Sequence, residues 1–322
     1  MRLIVVVVAF LAASLSAQTP AKNFLWKVEA PGGTSAYLLG SLHVLAVDSY
    51  PLAPPIEKAF AESKTLVEEV DLDEMSDPTA MMAALARAML SDGKTLDQII
   101  APATYAEVRK RAESVGLPML ALDRMKPWLA AVTLMAPTLQ SAGFKPEFGV
   151  DRHFFDRAKE KGMKRQALET VAYQLDRFDS MPLPVQKDLL KATIEDLDTQ
   201  VKSVKEMARA WSAGDVAAVE KLTLTSFMES PELYQRLLVE RNHNWVPHIE
   251  KCLSDNASCF VVVGAAHLVG QDGLPALLAK KGLKVTQQYT QVRRVRRVRR
   301  VRTGAYGVRL RTARSWRHEI PA

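Results

Sequence analysis

The sequence predicts an α/β (α+β) protein with a central mixed sheet built from N- and C-terminal strands and a large helical block inserted between them. Short apolar runs rich in β-formers cluster between residues 24 and 71 and again between 260 and 287. Most of residues 77–242 instead repeat apolar side chains with helical spacing. We therefore expect one sheet that is completed from both ends of the chain and flanked by helices.

Residues 1–17 predict a secretory signal. Arg2 precedes an unbroken apolar stretch from Leu3 to Ala13, and small residues up to Ala17 offer a cleavage site. The stretch is short for a membrane span, and we identify no other transmembrane candidate. We expect a periplasmic or secreted protein, with a retained N-terminal anchor as the alternative.

The first strands of the mature chain predict a hairpin. Phe24 to Val28 and Ala36 to Leu39 flank Pro31 to Ser35, a segment with turn composition. A helix then begins at Pro54 and Pro55, because proline is tolerated in the first helical turn. Lys64 to Asp71 predicts the next strand.

The helical block is interrupted once, where Met163 to Leu168 predicts a short strand. After the block, Phe260 to Val263 predicts a buried strand, and Leu274 to Lys280 a helix that Gly282 ends. Leu283 to Gln287 predicts the last strand. The folded domain should therefore occupy residues 18–290.

The two cysteines, Cys252 and Cys259, are expected to form a disulfide. An exported chain meets an oxidising compartment, and the six residues between the cysteines have turn composition. Such a bond would staple the turn that precedes the strand at 260–263. We expect no metal role for these thiols, because no further residues offer ligand spacing around them.

The tail at residues 291–322 is strongly basic. It holds eleven Arg and one Glu, whereas the whole chain carries a net charge of only +7, so the rest of the protein is slightly acidic. Three tandem Val-Arg-Arg triplets cannot bury a core, and we expect a disordered tail. Weak attraction to anionic surfaces is the alternative, without specific nucleic-acid binding.

Two copies of one short motif end two of the predicted strands. Residues 40–43 are Gly-Ser-Leu-His and residues 264–267 are Gly-Ala-Ala-His. Imidazole is the commonest side-chain metal ligand and the usual base near neutral pH. His43 and His267 can therefore meet at one working edge of the sheet, although unrelated strand-ending histidines are the alternative.

Carboxylates offer the third component of a site. Alternation along Lys64 to Asp71 places Glu69 and Asp71 on one face and Glu68 on the other, unless a bulge exchanges Glu68 with Glu69. Buried acids need a partner or a metal, whereas an edge strand with solvated acids is the alternative. Glu169 ends the strand at 163–168, or else simply lies beside a helix start.

Arg241 and Asn242 stand at the end of a predicted helix. Arginine holds a carboxylate or an oxyanion through paired hydrogen bonds, although a cation favoured by the helix dipole is the alternative. Open α/β sheets bind ligands at the carboxyl ends of their strands. Two imidazoles and a carboxylate there suit a divalent catalytic metal, with Glu169 or Asp71 moving the proton.

The chain resembles the TraB/GumN family, which is similar to the Tiki metalloproteases and more distantly to the erythromycin esterases. The resemblance runs from about Phe24 to Gln288 and rests on the order and spacing of several segments. These are residues 24–28, 40–43, 66–71, 126–128, 149–151, 168–170, 241–242 and 264–267.

The resemblance implies an exported metal-dependent hydrolase, with a peptidase as the first expectation and a peptide or polysaccharide-related substrate. A divalent ion (manganese, cobalt or zinc) would be held by His43, Glu69 and His267. Glu169 would be base or further ligand, and Arg241 would steady an oxyanion or substrate carboxylate. Asn242 and Asp71 are assigned to substrate binding. A metal-free esterase-like hydrolase and a non-catalytic periplasmic protein that binds peptide or surface polysaccharide are the alternatives.

Overall fold

The computed structural model describes residues 21–290, apart from residues 196, 228 and 229. The predicted signal at 1–17 and the predicted basic tail at 291–322 lie outside the described residues. Within the described part of the chain, none of the helices combines the length and the apolar character that a membrane crossing requires.

Six strands form one mixed sheet in the order β4-β3-β5-β2-β1-β6. Strands β2, β3, β4 and β5 are mutually parallel, and β1 pairs antiparallel with both β2 and β6. The strands are β1 Lys22–Glu29, β2 Ser35–Ser41, β3 Thr65–Glu68, β4 Lys164–Ala167, β5 Cys259–Gly264 and β6 Lys284–Tyr289. The sheet is therefore built from both ends of the chain, and the predicted fold class is confirmed.

Helices occupy most of the chain between β3 and β5. The fifteen α-helices of the described residues are α1 Pro54–Glu62, α2 Leu72–Met75, α3 Pro78–Arg87, α4 Leu96–Ile99, α5 Pro102–Ser114, α6 Met119–Leu122, α7 Pro127–Ser141, α8 Val150–Glu160, α9 Val171–Asp179, α10 Leu183–Glu195, α11 Leu197–Ser212, α12 Val216–Phe227, α13 Pro231–Tyr234, α14 Glu240–Ser254 and α15 Leu274–Lys280. A π-helical turn, Gln235–Val239, joins α13 to α14.

The sheet is covered by helices that pack aromatic side chains onto it. The Phe60 ring of α1 and the Phe154 ring of α8 lie 5.5 Å and 4.9 Å, centroid to centroid, from the Phe260 ring of β5. All three rings are fully buried. A separate apolar cluster joins α4, α5, α6, α7 and α10, so the inserted block has a core of its own.

One predicted strand is shorter in the structure. Lys64 to Asp71 was expected to be extended throughout, but β3 ends at Glu68. The reason is local, because Oδ1 of Asp71 accepts a hydrogen bond from the backbone N–H of Asp73 at 2.9 Å and caps α2. Simple alternation along the strand therefore does not reach Asp71.

Cys252 and Cys259 are bonded, as predicted. The disulfide joins the last turn of α14 to the first residue of β5. It ties the helix that carries Arg241 and Asn242 to the strand that leads to His267. The disulfide therefore links the elements that carry the site residues and is not itself part of the site.

Candidate functional site

The carboxyl ends of the four parallel strands bring the predicted residues to one edge of the sheet. His43 follows β2, Glu69 follows β3, Glu169 follows β4 and His267 follows β5. Backbone hydrogen bonds from Leu168 N–H to Glu68 O at 2.8 Å, and from Glu169 N–H to Glu69 O at 2.9 Å, continue the pairing beyond β3 and β4. The two carboxylates therefore start from adjacent backbone positions.

The two Gly-x-x-His motifs converge on Gly264. A Cβ atom placed on Gly264 would lie 3.3 Å from Oε1 of Glu69, 3.5 Å from Cδ2 of His267 and 3.9 Å from Nε2 of His43. Both imidazoles and the carboxylate thus face one small space, which a glycine at this position leaves open.

His267 is buried, and its tautomer follows from its partner. Its Nδ1 lies 2.7 Å from Oδ1 of Asn242, whose Nδ2 donates to the backbone carbonyl of Asp272 at 2.8 Å. The amide oxygen is therefore the acceptor, and the His267 Nδ1 carries the proton. Burial lowers the pKa of His267 to about 3, so Nε2 presents a lone pair to the site near neutral pH.

Arg241 lies at the centre of the buried network. Its Nη2 donates to Oε2 of Glu69 at 2.6 Å and to Oε1 of Glu169 at 2.6 Å, and its Nε donates to Oε1 of Glu169 at 3.0 Å. Its Nη1 donates to the carbonyl of Leu237 at 3.1 Å and lies 3.2 Å from Nε2 of His267. All three guanidinium nitrogens are therefore engaged within the protein.

The local shape of the chain explains how Arg241 reaches this position. Leu237 belongs to the π-helical turn that precedes α14, and such turns are frequent at functional sites. Trp245, one turn further along α14, lies under the guanidinium at 4.7 Å. Its ring centroid is 4.4 Å from that of His267, and its Nε1 donates to Oε2 of Glu169 at 3.1 Å.

Glu69 is ionised although it is buried. Burial by itself raises the pKa of this carboxyl, but Arg241, His267 and His43 outweigh that effect and lower the pKa to about 2. Oε1 accepts the backbone N–H of Gly264 at 2.6 Å, and Oε2 accepts Nε2 of Gln174 at 2.9 Å in addition to Arg241.

Glu169 differs from Glu69 in the direction in which its pKa is shifted. Burial raises the pKa of Glu169, and the charge of Glu69 adds to this, although the bonds from Arg241 act in the opposite direction. One arginine therefore holds two carboxylates whose pKa values are displaced in opposite directions, an arrangement typical of acid–base sites.

His43 is the open member of the site. Its side chain is 66% exposed, and its Nδ1 lies 3.3 Å from Oδ2 of Asp151 in the first turn of α8. The charge of Asp151 raises the pKa of His43 to about 9. The loop itself is held against α8, because the backbone N–H of Val150 donates to the carbonyl of Leu42 at 3.0 Å.

Of the two neighbouring glutamates, Glu68 and Glu69, only Glu69 contacts Arg241 among the described residues. Glu68 has separate surroundings and is only 5% exposed. Burial, and then the charge of Asp151, raise the pKa of Glu68 to about 9. Its Oε1 has no hydrogen-bond partner among the described residues.

Two cavities meet at His43 and Glu69. The first, of about 370 Å³, is lined by Glu68, Asp151 and Ser41 together with apolar side chains. The second, of about 440 Å³, is lined by Arg241 and His267. His43 and Glu69 line both cavities, so the candidate site lies where the two cavities adjoin.

The residues assigned to substrate contact occupy supporting positions. Asn242 is 1% exposed, and both ends of its amide are used within the protein, on His267 and on Asp272. Asp71 caps α2 and lies 3.5 Å from Nη1 of Arg165. Their contact with substrate stays a prediction.

Sequence reasoning did not identify Gln174 and Trp245, and it assigned no role to Glu68 or Asp151. Trp245 carried a usable signal, since it lies four residues after Arg241 and thus on the same helical face. Gln174 gave no signal in the sequence, because only tertiary packing brings its amide to Glu69.

The imidazole nitrogens and the carboxylate oxygen are atom types that bind divalent cations. Their spacing in the structure is not that of a formed metal site. Nε2 of His267 and Oε1 of Glu69 are 3.9 Å apart, and Nε2 of His43 faces the same space. No three His, Cys, Asp or Glu side chains within the described residues stand close enough to hold one ion. His43, whose side chain is the least enclosed of the three, would have to move toward the other two for one ion to contact all three.

The amino-acid sequence matches one known protein family and two relatives within the curated proteins. The sequence profile of the TraB/PrgY/gumN family matches residues 24–287. "Uncharacterized protein YbaP" of Escherichia coli (strain K12) and the protein of the same name from Shigella flexneri are each 23% identical over 251 residues, covering 78% of this chain and 90% of the relative. No solved structure matches this chain.

Proposed function

Because this chain belongs to the TraB/PrgY/gumN family, we propose that it is an exported metal-dependent hydrolase, and a peptidase in the first instance. The observation that carries the proposal is the convergence of His43, His267 and Glu69 around Gly264. These groups are more than 20 residues apart in every pairing, and a common function is the simplest reason for bringing them to one point.

Three side chains would hold the ion, namely His43 through Nε2, His267 through Nε2 and Glu69 through Oε1. Binding would displace the contact of Arg241 Nη1 with Nε2 of His267 at 3.2 Å, and it would require the neutral form of His43. An ion held there would supply polarisation of a substrate carbonyl and a water of lowered pKa. The hydrogen bond from His267 Nδ1 to Asn242 supports this assignment, because ligating histidines usually donate their other ring N–H to a fixed acceptor.

The other residues of the site would hold and move protons. Arg241 is assigned a positioning role, since its bonds to Glu69 and Glu169 fix both carboxylates and leave no N–H directed at a substrate. Glu169, whose pKa is raised, is the candidate to take a proton from the attacking water and to pass it to the leaving group.

Peptide is favoured over polysaccharide by the lining of the first cavity. Val70, Leu72, Met75 and Pro146 give it apolar walls, whereas polysaccharide sites need many hydroxyl-binding groups. Export is supported by the predicted signal and by the disulfide between Cys252 and Cys259, which suits an oxidising compartment.

The test is the metal content of the purified protein, measured by mass spectrometry beside hydrolysis of a peptide library. We expect one divalent ion per chain, with loss of ion and turnover in His43→Ala and His267→Ala. His248→Ala, an exposed histidine on α14, is the matched control and should keep both. Circular dichroism checks that each variant is folded.

Other outcomes would replace the proposal. Full turnover after exhaustive chelation would favour the metal-free esterase-like hydrolase. No turnover on any peptide, together with peptide or glycan affinity unchanged in the double histidine variant, would favour a non-catalytic binding protein.

A further inference from the structure

The cavity of about 370 Å³ contains three oxygen atoms that lack partners. Oγ of Ser41, Oε1 of Glu68 and Oδ1 of Asp151 are each shielded from solvent, and none accepts or donates a hydrogen bond among the described residues. Ser41 is 2% exposed and Glu68 is 5% exposed. A buried polar atom without a partner is destabilising, so three at one cavity require an explanation.

The sheet register explains why these atoms share a cavity. Strand β5 lies between β3 and β2, with Glu68 opposite Val262 and Ser41 opposite Gly264. Because Val262 and Gly264 are two residues apart on β5, the side chains of Glu68 and Ser41 emerge on the same face. Asp151 approaches from α8, which packs against β3.

The three atoms define the chemistry of the missing partner. The carboxyl oxygens of Glu68 and Asp151 accept hydrogen bonds when these groups are ionised, and the hydroxyl oxygen of Ser41 also has accepting capacity to spare. No donor of the described residues reaches these three atoms. Nε of Arg152 pairs with Asp156, and Gln174 donates to Glu69. Nδ1 of His43 lies against the other carboxyl oxygen of Asp151. A ligand that completes the cavity must therefore bring several N–H donors and a positive charge.

A primary ammonium group meets these requirements best. It is a compact charge with three N–H donors, which equals the number of unpartnered oxygens. A divalent cation fits less well, because only two of the three oxygens belong to carboxyl groups.

The remaining walls describe what the ammonium is attached to. Val70, Leu72, Met75, Pro146 and Val262 line the same cavity with apolar surface. A volume of about 370 Å³ lies within the ordinary range for a small-ligand pocket. The occupant is thus an amine with an adjoining apolar chain of about one residue in size.

We propose that this cavity binds the primary ammonium group of an apolar amine ligand, with Ser41, Glu68 and Asp151 as its three acceptors. The inference that the ligand is a substrate rests on the proposed function. Because His43 and Glu69 line this cavity and also the adjoining one, the N-terminal residue of a peptide would occupy it while a nearby carbonyl reached the proposed reactive centre. The enzyme would then select peptides by their free N-terminus.

Calorimetric titration of the full chain in chelator-containing buffer tests the binding without turnover. Leucine amide should bind, and N-acetyl-leucine amide, which has no ammonium, should bind at least tenfold more weakly. Nα-acetyl-lysine amide distinguishes a side-chain ammonium from an N-terminal one. Tighter binding of that compound than of leucine amide would support the ammonium site while assigning it to lysine side chains.

Single-residue variants test whether leucine amide binds at Ser41 and Glu68. Glu68→Gln and Ser41→Ala should each weaken leucine amide binding, with the larger loss, tenfold or more, in Glu68→Gln. Glu147→Gln makes the same charge change in a side chain that is 60% exposed and outside the cavity lining, and it should bind as the parent does. Glu68→Gln should fold, because it removes a buried acid.

Two results would overturn the ammonium site. One is equal affinity for leucine amide and its acetylated form, and the other is unchanged leucine amide affinity in Glu68→Gln. Either result with metal content and peptide hydrolysis intact would refute this inference alone. Absence of metal and hydrolysis with amine binding intact would instead refute the proposed function.

Discussion

Arg241 and Glu69, which are 172 residues apart in the chain, form a buried ion pair with 2.6 Å between Nη2 and Oε2. The same nitrogen lies 2.6 Å from Oε1 of Glu169. One cation thus holds two carboxyl groups in a place where both side chains are shielded from solvent. This pair joins the carboxyl edge of the sheet to α14, and it determines both the charge state and the position of the site.

Removal of the cation should be costly. Arg241→Ala leaves Glu69 buried without its counter-ion, and we expect the free energy of unfolding to fall by about 3–5 kcal/mol. The double variant Arg241→Ala/Glu69→Gln should recover part of that loss, because the uncompensated charge is gone. Denaturant unfolding measures both.

Arg152→Ala is the matched control for that experiment. Arg152 pairs with Asp156 on an exposed face of α8, and such pairs contribute about 0–1 kcal/mol. A loss in Arg241→Ala no larger than in Arg152→Ala would contradict the central role given to the buried pair.

Asn242 should act through His267. Asn242→Leu removes the acceptor of the His267 Nδ1–H, and we expect the affinity for the divalent cation to fall about 10- to 100-fold. Competition with a chelator of known affinity measures it. Asn244→Leu, an exposed change on the same helix, should leave the affinity unchanged. Equal affinities in the two folded variants would refute the assignment of His267 as a ligand.

Gly264 should be required for function more than for folding. Its backbone, at φ −50° and ψ 138°, is open to any residue, but an added Cβ would crowd Oε1 of Glu69 at 3.3 Å. Gly264→Ala should therefore lose most peptide hydrolysis while the thermal midpoint changes little.

Alanine variants at two other glycines are the controls for Gly264→Ala. At Gly40 the Cβ would overlap the Phe24 ring inside the core, so Gly40→Ala should lower the thermal midpoint. At Gly32 nothing lies within 4 Å of the Cβ, and Gly32→Ala should match the parent in both measurements. Hydrolysis at the parent rate in Gly264→Ala would show that the convergence at this glycine is not needed.

Glu68 should make the metal-free protein less stable as pH rises. Burial raises the pKa of Glu68 from 4.5 to about 9, so the unfolded chain loses this proton at a lower pH than the folded protein does. The favourable contribution of the protonated form is complete below about pH 4.5 and is lost progressively as the pH rises toward 9.

Glu68→Gln cannot ionise and should escape this loss. In chelator-containing buffer we expect it to match the parent near pH 4 and to exceed it by about 1–3 kcal/mol near pH 8. Urea unfolding at a series of pH values measures the difference. A constant difference across that range would mean that Glu68 titrates normally in the folded protein.

Much of the framework follows from local patterns in the chain. The hairpin of β1 and β2, the buried strand β5 and the return of β6 are visible because apolar residues and turn residues report on their immediate neighbours. The edge shared by His43, Glu69, Glu169 and His267 also follows, because parallel strands present their carboxyl ends together.

Local sequence patterns did not predict the contacts between distant segments. That Arg241 meets both glutamates depends on the π-helical turn before α14 and on the packing of α14 at the sheet edge. The end of β3 at Glu68 depends on a capping bond at Asp71, which alternation does not register.

Local patterns are enough to predict the fold class, the disulfide and the set of strand ends that carry the site, since each is a property of neighbouring residues or of strand direction. Which glutamate faces Arg241, and which side chains share a cavity with Ser41, depends on packing between distant segments. The physical reason is that burial and hydrogen-bond partnership belong to pairs of segments, and no single segment encodes which other one will cover it.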